Sequence, residues 1–270
     1  MRFCVVVSEK DAAGRNIFCR LVEKGFQKAS TGSPGSYSRG NVSLVRTEED
    51  IVEPDDLDRI YAADLFIFAS RHESKKRLPC LCVHSPGNWG EADFGGKRKM
   101  LCKAPALFLR DAYLQLKNNG LAYEVFQEAT HHGPFLDKPC MFIEIGSSMA
   151  EWENALAGKM IADSIINITG SEKDVMLSGK TQQDLKIAFG IGGLHTMPKL
   201  SELTEKGYAF GHVCPKYNLH NLDKSLIQQA MAKTIPKADH VVLDWKGLGQ
   251  EKHRILSILD DLGIGYEKIR

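Results

Sequence analysis

The sequence predicts an α/β fold with three layers, α/β/α, around a mostly parallel mixed sheet. Two observations carry this prediction. Short apolar runs of roughly four to eight residues alternate along the chain with segments whose apolar residues recur at helical spacing. Several of these runs lack polar alternation, as strands covered on both faces do. Since the 270 residues contain no internal repeat, low-complexity tract or linker, we expect one domain, residues 1–270.

The predicted strands are apolar runs bounded by Gly, Pro or polar residues. In chain order they are RFCVVVSE (2–9), VSLVRTE (42–48), DLFIFAS (64–70), the start of LCVHSPGNWG (81–90), AYEVFQEAT (122–130), CMFIEIGS (140–147), DLKIAFGIGG (184–193), YAFGHVC (208–214) and HVVLDW (240–245).

The predicted helices have apolar residues three and four positions apart. Ser148 and Glu151 fit a capping box, which predicts that a long helix begins there. In chain order the helical segments are AGRNIFCRLVEKGF (13–26), ALFLRDAYLQLKNNG (106–120), EWENALAGKMIADSIINIT (151–169), KSLIQQAMAK (224–233) and EKHRILSILDDLG (251–263).

Composition limits the classes of function. The 35 basic and 34 acidic residues give a net charge of +1, so a nucleic-acid partner would need a local basic patch. No apolar run approaches the roughly 18 residues of a membrane span, and we expect no membrane partner. The seven cysteines form no C-x-x-C pair, which predicts reduced, buried thiols in a cytoplasmic protein.

Histidines collect where predicted strands end. Of the nine histidines, five lie at or just beyond such an end, each beside a Gly- or Pro-containing turn. Ligand sites in open α/β sheets form outside the carboxyl ends of the strands, and so these histidines are candidates for one shared site. They are His84, His131, His132, His195 and His212; the sequence assigns no role to His72, His220, His240 or His253.

Glu144 is the only charged residue in the run CMFIEIG. Strand alternation places it on the face of Phe142, opposite Met141, Ile143 and Ile145. A carboxylate there must be paired, exposed or bound to a metal, because its desolvation alone is costly. Either an ion pair with a helix residue or a functional role fits the pattern.

Two chemistries suit several imidazoles and one carboxylate. One is metal-assisted hydrolysis, for which Zn²⁺ is the natural ion. The other is metal-free acid–base catalysis with backbone amides at an oxyanion. The sequence has no H-E-x-x-H, no G-x-S-x-G and no nucleotide-binding glycine motif. Any metal site must therefore be assembled from separate loops.

Two basic clusters flank the His84 loop, RHESKKR (71–77) and GGKRKMLCK (95–103). Charge runs are usually solvated faces, yet this pair is also placed to hold a phosphodiester backbone. Lys97 and Arg98 are the candidates in the second cluster. Trp89, in GNWG, either stacks on a base or pins the loop.

The ordered elements VHSPGNWG, ATHHGPF, FIEIGSS, GGLHTMPK and GHVCPKY resemble the archaeal- and plant-type D-aminoacyl-tRNA deacylases, over most of the chain. The resemblance implies an α/β/α fold similar to peptidyl-tRNA hydrolases and nucleoside phosphorylases. It implies hydrolysis of the ester that joins a D-amino acid to tRNA, a zinc cofactor, and a monomer that binds the tRNA acceptor end. An L side chain would be excluded sterically.

The resemblance implies that His131, His132, Glu144, His195 and His212 line the site, with His84 and Asn88 beside it. The resemblance and the residue pattern together give the expected roles. His131, His132, Glu144 and His195 are the expected catalytic residues. The expected metal ligands are His132, Glu144, His195 and His212. The expected substrate-binding residues are His84, Asn88, Trp89, Gly133, Gly193, Lys97 and Arg98.

Two other functions remain open from the sequence. One is a metallo-aminopeptidase or peptidyl-tRNA hydrolase on the same fold class, which would cleave an amide or a blocked substrate. The other is a non-enzymatic RNA-binding module whose histidines are structural.

Overall fold

The computed structural model describes residues 1–29, 35–118, 120–170 and 185–270. The strands are β1 (Phe3–Ser8), β2 (Gln27–Lys28), β3 (Tyr37–Arg39), β4 (Val42–Thr47), β5 (Leu65–Glu73), β6 (Cys80–His84), β7 (Ala104–Pro105), β8 (Glu124–Gln127), β9 (Cys140–Ser147), β10 (Lys186–Ile191), β11 (Tyr208–Cys214), β12 (Thr234–Ile235), β13 (His240–Asp244) and β14 (Glu267–Ile269). The helices are α1 (Ala12–Glu23), α2 (Leu57–Ile60), α3 (Ala106–Lys117), α4 (Met149–Trp152), α5 (Ala155–Gly170), α6 (Pro198–Glu205), α7 (Lys224–Lys233) and α8 (Lys252–Asp261).

The first main sheet has eight strands in the order β2-β3-β4-β1-β5-β9-β6-β8. Its centre is parallel, since β4, β1, β5 and β9 all run in one direction. The strand β6 runs antiparallel to β9, and β8 runs parallel to β6. The last two strands are therefore reversed relative to the centre, and their carboxyl ends lie at the opposite edge of the sheet.

The second main sheet has four strands in the order β11-β10-β13-β14, all parallel. Its core is formed by Phe189, Ile191 and Leu243 with helix residues such as Leu226 and Ile255. The short strands β7 and β12 pair separately. The predicted α/β class with mostly parallel strands is confirmed, and its strands are divided between two main sheets.

The two faces of the eight-stranded sheet are covered differently. The helices α1, α3 and α5 pack on one face, where Val5, Ile67 and Ile143 meet Ile17 and Ile161 in the largest core cluster. The opposite face holds a smaller cluster that includes Phe68 and Phe142, and loops cover it instead of long helices. Beyond this cluster, the loop-covered face carries the polar residues of the site.

The predicted long helix after Ser148 is interrupted. The capping box of Ser148 and Glu151 is present, but the helix that it opens ends at Trp152. A second helix begins at Ala155 because Asn154 caps it, accepting hydrogen bonds from the backbone of Leu156 (2.9 Å) and Ala157 (3.2 Å). Asparagine is a strong N-cap residue, and it outcompetes continuation of the first helix.

Within the described ranges, no helix combines the length and the apolar character that crossing a membrane requires.

Candidate active site

The centre of the site lies on the loop-covered face of β5, β9 and β6. Ser70 and Cys82 are the register partners of Glu144 on its two sides, and directly opposed residues project from the same face of a sheet. Ser70 Oγ donates to Glu144 Oε1 at 2.7 Å, and Cys82 Sγ donates to Glu144 Oε2 at 3.5 Å. The lone charge of this strand is thus buried but hydrogen-bonded, as the cost of its desolvation demands.

The turn after β8 brings the two adjacent histidines over this face. In a regular strand, His131 and His132 would point to opposite sides. His132 has φ +42°, a left-handed conformation that reverses this alternation. Their ring centroids lie only 4.2 Å apart. A left-handed non-glycine residue costs about 1 kcal/mol or more, and such residues are concentrated at functional sites.

Gly133 allows this turn to pack closely. A Cβ atom on Gly133 would collide with the backbone of Gly95 and Gly96 and with the carbonyl oxygen of Val52. The backbone N–H of Gly133 donates to the carbonyl of Phe94 at 2.9 Å. Gly133 therefore positions the two histidines by backbone packing, although sequence reasoning placed it among substrate-binding residues.

Three imidazoles meet beside the turn. The ring of His84 lies 4.2 Å from that of His131 and 4.9 Å from that of His132, measured between centroids. The Nδ1 atom of each ring contacts a backbone carbonyl: Ser85 O at 3.3 Å for His84, Ala129 O at 2.8 Å for His131 and Gly133 O at 2.6 Å for His132. An Nδ1–H that donates to a carbonyl leaves Nε2 with a free lone pair.

Two carboxylates and two further imidazoles lie next to this group. Glu128 Oε1 is 3.2 Å from His72 Nδ1 and 3.0 Å from His195 Nε2, although neither contact has the alignment of a hydrogen bond. His195 Nδ1 is 2.8 Å from the hydroxyl of Tyr217. Glu144 Oε2 lies 3.7 Å from His84 Nε2, so the two groups are continuous.

The histidines of the site differ in charge. Burial and the neighbouring His84 lower the pKa of His131 far below its ordinary value and that of His132 to about 4. Burial alone would also lower the pKa of His72, but contact with Glu128 and the charge of Glu144 outweigh it and raise that pKa to about 9. His131 and His132 are thus neutral at pH 7, whereas His72 is an imidazolium.

The carboxylates respond in the opposite direction. Burial alone would raise the pKa of Glu128, but His195 and His72 hold it well below its usual range. Burial likewise opposes ionisation of Glu144, and the contact with His84 lowers its pKa. Both carboxylates are ionised at pH 7 and can accept protons or stabilise cations.

Three sets of donor atoms lie close enough to hold an ion, each with its ligand atoms within 4.8 Å of one another. They are His84, His131 and His132; Glu128, His131 and His195; and His72, Cys82, Glu128 and Glu144. The first set fits Zn²⁺ best, since its Nδ1 atoms are already occupied by carbonyls and two of its rings are held neutral. The third set fits it least, because His72 is protonated.

These residues border a cavity of about 530 Å³. His131, His132, Glu144 and His195 lie in its lining with Arg71, His72, Ile51, Val52, Phe94, Gly95 and five further acidic residues: Asp11, Asp50, Glu53, Glu73 and Asp93. Six carboxylates against Arg71 and the imidazolium of His72 give the cavity lining a net negative charge.

His84, Asn88 and Trp89 lie close to the site without opening into this cavity as substrate contacts would. Asn88 Nδ2 donates to the carbonyl of Gly95 at 2.9 Å, and Trp89 Nε1 donates to that of Thr130 at 2.9 Å. Trp89 is 1% exposed, so the alternative that it stacks on a base is wrong, and it pins the loop instead. Asn88 holds the neighbouring loop in place in the same way.

His212 does not belong to the site. It is fully buried, and both of its ring nitrogens are occupied within the core. Nδ1 lies 3.2 Å from Ser85 Oγ and 3.1 Å from Thr130 Oγ1, and Nε2 lies 3.0 Å from the carbonyl of Cys102. No nitrogen is left for an ion, which corrects the prediction of His212 as a metal ligand.

Gly193 lies elsewhere too. It lines a separate cavity of about 250 Å³ at the carboxyl ends of β10 and β13, with Lys199 and Asp244. Lys199 Nζ pairs with Asp244 Oδ1 there at 2.8 Å. The prediction that Gly193 contacts the same substrate as the histidine cluster is therefore corrected: it belongs to the second sheet's own edge.

Lys97 and Arg98 lie on the loop that borders the cavity at Phe94 and Gly95. Both are exposed. Lys97 Nζ lies 4.3 Å from the centroid of the Phe135 ring, and Arg98 pairs with Glu91 at 2.6 Å. Neither contact buries the charge, so both cations remain accessible at the surface.

Two residues of the cluster, His72 and Glu128, are absent from the predicted set. The predicted strand 64–70 stops short of His72, whereas β5 extends to Glu73. Had the strand been extended, alternation from Ser70 would have placed His72 on the face of Glu144. Glu128 directly precedes the strand-end residues Ala129 to His132, and its charge after an apolar strand was a usable signal.

The comparisons with known proteins agree with one another. The family model described as D-aminoacyl-tRNA deacylase matches residues 60–267. A protein of Thermococcus kodakarensis named D-aminoacyl-tRNA deacylase is 36% identical, over 97% of this chain and 98% of its own length. One of the same name from Caldivirga maquilingensis is 32% identical over 100% of both chains.

A crystal structure described as a conserved protein of unknown function superimposes with a TM-score of 0.86 at 28% identity, covering 99% of this chain and 95% of the other. The agreement of fold, full-length similarity and family model is decisive: this chain belongs to the D-aminoacyl-tRNA deacylase family.

Proposed function

We propose that this chain hydrolyses the ester bond of D-aminoacyl-tRNA and releases the free D-amino acid and tRNA. The observation that carries the proposal is the group of three imidazoles, His84, His131 and His132, packed beside Glu128 and Glu144. Of these residues, His131, His132 and Glu144 line the cavity of this family member. An aminoacyl ester is an activated substrate. Positioning and a polarised water are enough for its hydrolysis, with no covalent nucleophile.

Zn²⁺ is the cofactor that we propose for this site, held by the Nε2 atoms of His84, His131 and His132. The support is the donor set itself, in which carbonyl oxygens take every Nδ1. This set shares His132 with the ligands predicted from the sequence, and it omits Glu144, His195 and His212. When bound, Zn²⁺ would supply Lewis acidity toward the carbonyl oxygen and lower the pKa of a bound water.

The carboxylates and His195 supply proton transfer in this proposal. Glu144 lines the cavity, is ionised and has its second oxygen fixed by Ser70, and it accepts a proton from the attacking water. A C–O bond forms at the ester carbonyl, and the bond to the ribose oxygen then breaks. His195, held by Glu128 on one side and Tyr217 on the other, gives the departing oxygen its proton.

The charge of the cavity favours an aminoacyl ester over a peptidyl one. An aminoacyl group carries a free α-ammonium, which the acidic lining of Asp50, Glu53 and Asp93 attracts. A peptidyl group lacks this cation at the same distance from the ester. The lining also repels phosphates, so the tRNA backbone stays outside, near Lys97 and Arg98.

We place the reaction in the cytoplasm, where aminoacyl-tRNA is made and used. We further propose that the chain acts on the tRNA acceptor end as a monomer, since the donor sets and the cavity lining are complete within one chain. Gel filtration with light scattering checks the latter, and a dimer that dissociates with loss of activity would contradict it.

The test compares four substrates with purified protein that carries no His-tag: D-Tyr-tRNA, L-Tyr-tRNA, N-acetyl-D-Tyr-tRNA and a chromogenic amino-acid amide. We expect rapid hydrolysis of the first alone. Equal or absent hydrolysis of the first two would sink the proposal. Preference for the N-acetylated substrate or the amide would favour the peptidyl-tRNA hydrolase or the aminopeptidase. Binding of tRNA without hydrolysis would favour the RNA-binding module.

A further inference from the structure

One large aromatic side chain stands exposed at the mouth of the catalytic cavity. Phe94 is 73% exposed, the most exposed of the large apolar side chains in the described part of the chain. It lines the cavity together with His131, His132 and Glu144. Single exposed apolar residues are common on protein surfaces. The exposure of Phe94 is significant only if the loop that carries the ring is also fixed at the cavity.

The backbone of Phe94 is fixed to the histidine turn. Its carbonyl accepts from the N–H of Gly133 at 2.9 Å, and the carbonyl of the next residue, Gly95, accepts from Asn88 Nδ2 at 2.9 Å. Gly95 has φ +71°, and a Cβ on it would collide with the carbonyl of Val52. The ring is therefore presented to solvent by a loop whose backbone packs closely against the turn that carries His131 and His132.

The other aromatic residues near the site are buried or lie outside the cavity lining. Trp89 is buried with its Nε1–H donated to Thr130. Tyr217 is 48% exposed and hydrogen-bonded to His195, but it is not part of the cavity lining. Phe142 is buried between His84 and Phe68, at centroid distances of 4.8 and 4.9 Å. Among the described residues that line the cavity, Phe94 alone offers an open aromatic face.

The charges around the ring indicate which part of the substrate meets it. Asp93, beside Phe94 in the chain, and Asp50 and Glu53, which also line the cavity, repel phosphate. Lys97 and Arg98, farther along the same loop, attract it. Between the ester at the imidazoles and the phosphates outside lies the terminal nucleoside of tRNA, whose adenine is neutral and flat.

We propose that Phe94 is a stacking platform for the adenine of the 3′-terminal nucleoside of the tRNA. The inference rests on the proposed function and adds a nucleobase subsite to it. Base–aromatic stacking supplies binding energy without sequence readout. The stack would exist before and during reaction, and it would therefore lower KM more than it raises kcat.

The experiment uses Phe94→Ala, Phe94→Trp and the control Ile60→Ala, which truncates another exposed apolar side chain (56% exposed) in α2, outside the cavity lining. Each variant and the wild type are assayed on three substrates. These are D-Tyr-tRNA, 3′-O-(D-tyrosyl)adenosine and D-tyrosine methyl ester, which share the aminoacyl group and differ in the alcohol that is esterified to it. Thermal unfolding of each variant checks the fold.

We expect Phe94→Ala to lower kcat/KM about 10-fold or more on both adenosine-containing substrates, mainly through KM, with the methyl ester unaffected. Phe94→Trp should retain activity on all three, and Ile60→Ala should match the wild type. An equal loss on the methyl ester would overturn the inference in favour of a contact with the amino-acid side chain. A loss on D-Tyr-tRNA alone would overturn it in favour of an upstream nucleotide.

This experiment distinguishes a failure of the proposed function from a failure of the nucleobase subsite. A wild type that leaves D-Tyr-tRNA intact would contradict the proposed function. A wild type that hydrolyses it, with Phe94→Ala equally active on all substrates, would contradict the nucleobase subsite alone.

Discussion

His132 lies just beyond an apolar strand and His212 lies near the end of another, and both are predicted from the sequence to bind the same ion. The structure separates them by what their nitrogens contact. His212 has Ser85 and Thr130 at Nδ1 and Cys102 at Nε2, so its hydrogen-bonding capacity is satisfied within the core. His132 is bonded through Nδ1 only, and its other nitrogen faces two neighbouring imidazoles. A histidine whose two ring nitrogens are both satisfied within the core therefore cannot bind an ion, whereas one with a free nitrogen can.

The backbone differs as well. His212 continues the extended strand β11, and the alternation of that strand directs it into the core. His132 has left-handed φ, a conformation that nothing in the core requires and that the turn to Gly133 maintains. Local strain thus accompanies the free nitrogen.

The largest expected effect is loss of activity in His132→Asn. Asparagine tolerates left-handed backbone better than most residues, so the turn is preserved while the imidazole is removed. We expect kcat/KM on D-Tyr-tRNA to fall by about 100-fold or more. His253→Ala, an exposed histidine in α8, is the control and should behave as wild type. Near-normal activity in His132→Asn would contradict the assignment of His132 to the catalytic site.

Glu128→Gln should have a smaller effect, about 10- to 100-fold on kcat. The neutral amide keeps the shape of the side chain but no longer holds His195 and His72 electrostatically. The pKa of His72 should fall, because its raised value depends chiefly on Glu128; NMR titration of the His72 ring measures this shift. If the pKa of His72 were the same in Glu128→Gln as in the wild type, the assignment of an ionised Glu128 beside an imidazolium at His72 would be wrong, whatever the effect on kcat.

His212→Ala should have the smallest effect on catalysis and a clear one on stability. It removes the partner of the buried Cys102 carbonyl, whereas Ser85 and Thr130 keep each other and their backbone partners. We expect a cost of about 1–3 kcal/mol in the free energy of unfolding. Urea denaturation measures that loss. Below the unfolding transition, we expect kcat/KM within about threefold of wild type, since neither His212 nor its partners Ser85, Thr130 and Cys102 line the cavity. Loss of activity in a fully folded His212→Ala protein would restore His212 to the site.

Many of the strands and helices could be predicted from the sequence, because each is indicated by the spacing of apolar residues within its own segment. The apolar runs at 2–9 and 140–147 became β1 and β9 nearly as predicted, and KSLIQQAMAK became α7 with its predicted bounds. The reversal of β6 could not be predicted, since pairing direction depends on contacts between segments distant in sequence. The division of the strands between two sheets could not be predicted for the same reason.

Most residues of the site were predicted from the sequence, although the structure brings them together in a different way from the one expected. His84, His131, His132, His195 and Glu144 do come together, yet they meet on the face of the sheet rather than beyond parallel carboxyl ends, because β6 and β8 are reversed. His72 was missed because β5 extends past its apolar run to Glu73. Phe94 lies in a loop without periodicity, and its exposure at the cavity is a property of the tertiary structure alone.

The most direct test of the different roles of His132 and His212 is the zinc content of wild type, His132→Asn and His212→Ala. Each protein is purified without a His-tag, stripped with chelator, reloaded with Zn²⁺ and analysed by elemental analysis and titration calorimetry. We predict one tightly bound zinc per chain in wild type and in folded His212→Ala, with binding lost or greatly weakened in His132→Asn. Retention of zinc by His132→Asn, with loss in His212→Ala, would contradict the assignment of the two histidines.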